Sequence, residues 1–181
     1  VLELSVKEEF YDVIPDDQLM ALGKLLYRSF NFAKKFNDDY DLRVRLWNAG
    51  VIERLPNLLK QESMSAAVFL NIMFRLYCDD RKATSSSSKK AIMDSVVPLC
   101  YTIVKRFSDL DDVNQQKSIA TWRPVITEIF EGFVEMDEAD FASHSPELYR
   151  LTLGLFDRSM GADLRKALQM FMARVGDVFV K

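Results

Sequence analysis

One histidine, His144, and two cysteines, Cys78 and Cys100, are all that the 181-residue chain offers as soft or imidazole metal ligands. A structural zinc site needs four such ligands, which these three scattered residues do not supply. Thiols this sparse suit a reducing compartment. Glycine is also scarce: the six glycines, at positions 23, 50, 132, 154, 161 and 176, match neither GxxxxGK[ST] nor GxGxxG, so no phosphate-cradling loop is present. No apolar run approaches the roughly 18 residues that span a bilayer. A basic excess is missing too. Lysine and arginine number 24 against 27 acidic residues, a net charge of −3, which gives no electrostatic footprint for nucleic acid. The chain opens at Val1 without a signal-like apolar region and reads as a piece excised from a longer protein.

What is present is a folded, helix-friendly composition, 49% hydrophobic and 12% aromatic. After a lead-in over 1–15, Pro15-Asp16-Asp17 mark a helix start, and Leu19, Leu22, Leu26, Phe30 and Ala33 form one apolar face. A short second helix carries Leu42, Leu46 and Trp47, with Gly50 placed for a left-handed C-terminal turn. Leu55-Pro56-Asn57 is a turn, and Glu62–Tyr77 is apolar on more than one side. The serine-rich stretch 83–90 is the one low-complexity segment and reads as a mobile loop. A fourth helix holds Ile92, Val96, Leu99, Ile103 and Phe107, with Pro98 either inside it or at its true beginning. A fifth holds Ile119, Trp122, Ile126, Ile129, Phe130 and Phe133 around Pro124. Asp137 to His144 reads as a short helical turn or two. Ser145-Pro146 then places a capping hydroxyl before a first-turn proline, and Leu148, Leu151, Leu155 and Phe156 continue that helix. Leu164, Leu168, Phe171, Val175 and Val178 define the last helix.

Nothing alternates with period two for long enough to make a strand, so the fold class is all-α. Seven or so uneven helices on short connections, several interrupted by proline, favour stacked helical hairpins. A HEAT- or armadillo-like right-handed solenoid segment fits better than a regular four-helix bundle. The whole of 1–181 forms a single domain on this reading.

The chain carries little that looks like chemistry. Ser143, Ser145 and Asp140 lie near His144, but a helix-cap region explains them without catalysis. Glu128, Glu131 and Glu135 share a helix face, as in a di-iron site, yet the Glu-x-x-His partners are absent and a solvated acidic face is the plainer account. Trp47, Trp122 and the 13 phenylalanines sit mostly at helical core spacing. Charge is unevenly spread. Lys24 to Arg75 holds nine basic and five acidic residues, a net of +4, whereas Asp109 to Glu147 holds two basic and ten acidic, a net of −8. This is either chance variation on solvated faces or a basis for electrostatic docking. No catalytic, cofactor-binding or metal-binding residue is assigned, and no cofactor is expected.

Several segments in order carry a resemblance. Phe32-Ala33-Lys34-Lys35-Phe36-Asn37 precedes Leu42-Arg43-Val44-Arg45-Leu46-Trp47-Asn48-Ala49-Gly50, followed by Pro56-Asn57-Leu58-Leu59-Lys60-Gln61-Glu62-Ser63 and Ile72-Met73-Phe74-Arg75-Leu76-Tyr77. The chain closes with Asp163-Leu164-Arg165-Lys166-Ala167-Leu168, Phe171, and Arg174-Val175-Gly176-Asp177-Val178-Phe179. From about Leu19 to its end the sequence resembles the C-terminal region of the large late-Golgi Arf guanine-nucleotide exchange factors, the brefeldin-A-inhibited subfamily. The resemblance implies an array of HEAT-like repeats concerned with membrane recruitment, autoregulation, self-association and contact with small GTPases. It places exchange catalysis in a separate upstream domain whose loop motif is not found here, so the fragment itself is not an enzyme. The implied location is the cytoplasm, peripheral on the trans-Golgi network membrane. The implied partners are a small GTPase of the Arf family, other domains or copies of the parent, and anionic Golgi membrane, with no nucleic acid. An unrelated helical protein–protein interaction scaffold, with no link to Arf exchange, is the alternative.

Both small GTPases and anionic membranes present acidic surface, which directs attention to basic residues near helix ends. Lys34, Lys35, Arg43, Arg45 and Lys60 could share one rim of a hairpin array, with Phe36 the nearest aromatic contact. Internal pairing of Arg45 with Asp41, or of Lys34 with Asp38, is the plainer use of these charges.

Overall fold

Four helices and no strand make up the described residues, 86–156 and 160–180 of the computed structural model, all of them within the unit Tyr77–Lys181. The expected helices over Leu19–Ala33, Leu42–Trp47 and Glu62–Tyr77, and the lead-in over 1–15, lie outside them. We number the helices α1 (Ser86–Ser108), α2 (Gln116–Glu135), α3 (Glu138–Thr152) and α4 (Gly161–Phe179).

Helix α1 settles the position of Pro98, which stands exposed inside the helix and not at its start. A proline costs one backbone hydrogen bond there, and its wet side lets water replace that bond. The stretch 83–90 straddles the start of α1: Ser86–Lys90 are helical, and 83–85 lie outside the described residues. Serine is compatible with such a position, because the first helical amides have no intrahelical acceptor to give up. Met93, Val96, Val97, Cys100, Ile103, Val104 and Phe107 are buried, a face two rows wide.

The connection to α2 is held by one aspartate. Asp111 Oδ1 accepts from the Val113 amide at 2.9 Å, while its own amide donates to Gln115 Oε1 at 2.8 Å. Helix α2 buries Ile119, Ile126, Ile129, Phe130 and Phe133 as its spacing predicts, and leaves Trp122 only half-buried.

Helix α3 departs from its sequence reading. It is continuous from Glu138 to Thr152, so Ser145-Pro146 is not a helix start. The cap is Asp137, whose carboxylate accepts from the Asp140 amide at 2.8 Å. Pro146 is exposed mid-helix, and the Ser145 hydroxyl is fully buried with no hydrogen-bond partner among the described residues. Sequence alone could not distinguish the two arrangements, because a Ser-Pro pair fits both a helix start and an exposed kink. The helix also stops sooner than the apolar spacing suggests. Leu155, past its end, is buried, whereas Phe156 is 44% exposed.

Helix α2 packs most extensively on α4, and α1 packs on α3; consecutive helices also touch. Phe171 of α4 is at the centre of this packing. Its ring meets Phe130 at 5.3 Å, Phe141 at 5.7 Å and Phe133 at 6.3 Å, each edge to face. Phe171→Ala should therefore cost about 3–5 kcal/mol. Denaturant unfolding of the chain checks this: a loss below about 1 kcal/mol, the level of an ordinary surface change, would show that the aromatic cluster is not what holds α4.

Candidate functional site

The corner where α2 ends and α3 begins is where one side chain of α4 meets several backbone carbonyls. A helix end leaves its last carbonyls without intrahelical donors and carries partial negative charge. Helix α2 has no basic residue in its last turn to offset this. Arg174 of α4 supplies the cation instead. Its Nη1 donates to the carbonyl of Phe133 at 3.2 Å and to that of Val134, and its Nη2 donates to the carbonyl of Met136. The guanidinium carbon also lies 4.4 Å from the centre of the Phe141 ring on α3. A planar fork with several donors can satisfy three acceptors and stack at once, which an ammonium cannot do.

A second tie joins α1 to α3, where the Tyr101 hydroxyl donates to the backbone carbonyl of His144. Burial above all, then Cys100 and Glu147, pushes the tyrosine hydroxyl well above its ordinary range. The bond uses the backbone of His144, whose residue is only half-buried, so nothing in this geometry recruits the imidazole.

The outer surface of the corner is acidic. Glu131, Asp137 and Glu138 are exposed; Glu128, Glu135 and Asp140 are half-buried. Among the described residues no group of His, Cys, Asp and Glu is arranged to hold a metal ion. Near the other end of α2, Asp112, Gln116, Ile119 and Arg123 line a half-open cavity of about 340 Å³. Arg123 also restricts the first residue of α4. Gly161 has φ +67°, and a Cβ there would come within 3.1 Å of Arg123 Nη1. Among the described residues the exposed large apolar side chains are Val113, Leu153, Phe156, Met170, Phe179 and Val180, whereas Lys166, Gln169, Ala173 and Asp177 give α4 a largely polar outward row.

The interaction residues expected from sequence, Lys34, Lys35, Phe36, Arg43, Arg45 and Lys60, all lie outside the described residues. Sequence reasoning missed Arg174 as a structural tie. Its signal was present: a lone cation one turn beyond Phe171, on the inward side of an otherwise apolar face. No helix among the described residues is long and apolar enough to cross a membrane.

Two measurements test this geometry. Arg174→Met keeps the stem but removes every donor, and should cost about 2–4 kcal/mol, with Arg174→Lys recovering less than half. Full recovery by Arg174→Lys, or a loss below about 1 kcal/mol in Arg174→Met, in denaturant unfolding would remove the fork from the account. For Tyr101 the sign follows from its raised pKa. Above about pH 10 the unfolded chain loses a tyrosine proton that the folded chain keeps, so this residue's contribution is present below that pH and is lost above it. Unfolding midpoints followed from about pH 9 to 11 should therefore fall more steeply for the parent chain than for Tyr101→Phe; identical slopes would contradict this.

Comparison with known proteins agrees along the whole chain. Residues 2–173 match the family model described as the BIG2 C-terminal domain. The ADP-ribosylation factor guanine nucleotide-exchange factor SEC7 of Saccharomyces cerevisiae is 38% identical over 178 residues, which are 98% of this chain and 9% of that protein. Schizosaccharomyces pombe sec72, named as the same kind of exchange factor, is 28% identical over 181 residues, 99% of this chain and 10% of its own length. Brefeldin A-inhibited guanine nucleotide-exchange protein 1 of Bos taurus is 29% identical over 170 residues, 93% of this chain and 9% of that protein. The chain thus spans about a tenth of the length of these relatives. No solved structure matches it. An unrelated helical scaffold does not account for likeness this continuous, and the chain belongs to the BIG2 C-terminal domain family.

Proposed function

We propose that this chain is a non-catalytic regulatory and interaction module of an Arf guanine-nucleotide exchange factor, acting in membrane recruitment, autoregulation or self-association of its parent. The observation that carries this reading is one of proportion. Nearly all of the chain aligns with about a tenth of proteins named as Arf exchange factors, within a family described as a C-terminal domain. Exchange chemistry needs a site that reaches the nucleotide's phosphates and metal, and none of the sequence motifs here supplies one. An all-helical unit with long apolar faces is instead suited to presenting surface. Helix pairing of α1 with α3 and α2 with α4 is compatible with stacked hairpins, and a HEAT-like right-handed array is the architecture we propose for the whole module.

The proposed contact is basic. Lys34, Lys35, Arg43, Arg45 and Lys60 form the rim, and Phe36 supplies apolar contact. Its partner is an acidic surface, either a small GTPase of the Arf family or the anionic cytoplasmic face of trans-Golgi membrane. Long-range attraction would raise the encounter rate, while buried contact would set the lifetime.

Three experiments test these proposals. Purified chain at micromolar concentration should leave nucleotide exchange on Arf proteins at its intrinsic rate; acceleration would overturn the non-catalytic assignment. Reversing Lys34, Lys35 and Lys60 to glutamate in the full-length exchange factor should weaken its recruitment to late-Golgi membranes while leaving the chain's thermal unfolding nearly unchanged. Normal recruitment would end the basic-rim proposal, and loss of folding would assign these residues to structure. Affinity measurements against the chain itself, GTP-loaded Golgi GTPases and anionic liposomes would separate the partners.

A further inference from the structure

We draw no further inference here: the strongest candidate, the half-open cavity lined by Asp112, Gln116, Ile119 and Arg123 at the N-terminal end of α2, sets one acidic and one basic side chain around a single isoleucine, and nothing in the structure shows what covers it.

Discussion

The guanidinium of Arg174 reaches three helices at once. It belongs to α4, satisfies carbonyls at the end of α2, and lies against Phe141 on α3. Helix α4 could rest on α2 through Phe171 and its aromatic neighbours alone, because apolar contact supplies most of the stabilisation of such a pair. Apolar contact is weakly directional, however, and would tolerate sliding of one helix along the other. Hydrogen bonds to fixed carbonyls do not tolerate a slide of one turn, about 5.4 Å. The arginine therefore sets register, and the phenylalanines supply the force.

The acceptors are as informative as the donor. The three hydrogen bonds end on backbone carbonyls, which do not titrate. Among the carboxylates of the α2–α3 corner, Asp137 caps α3, while Glu131 and Glu138 are exposed. On α1, Lys105 pairs with Asp109 at 3.1 Å in the open, an exposed contact of at most about 1 kcal/mol.

Periodicity made most of the described fold legible. The rows Val96-Ile103-Phe107, Ile126-Phe130-Phe133 and Leu164-Leu168-Phe171 are buried as their spacing requires. The errors came where one residue type serves two local purposes. Pro146 fits a first helical turn and an exposed mid-helix position equally well, and only the neighbours in space decide between them. Leu155 and Phe156 look like one continuing face, but the helix ends at Thr152 and a turn sends them to opposite environments. The inward position of Arg174 was readable, but its partners were not: they are backbone atoms about forty residues away, and backbone carbonyls leave no mark in a sequence. The proposed rim at Lys34, Lys35, Phe36, Arg43, Arg45 and Lys60 still rests on sequence alone.

Pro98, Pro124 and Pro146 each stand exposed inside a different helix, α1, α2 and α3. None has an amide hydrogen, so in each helix one wet-side carbonyl has no donor a turn later and can tilt outward toward water. A rod missing one outer strut bends most easily about that point. Three of the four described helices therefore carry a built-in site of compliance, whereas α4, which has no proline, is the stiff member. Load applied to these four helices would be taken up as gentle bending along α1, α2 and α3 before any buried contact had to break.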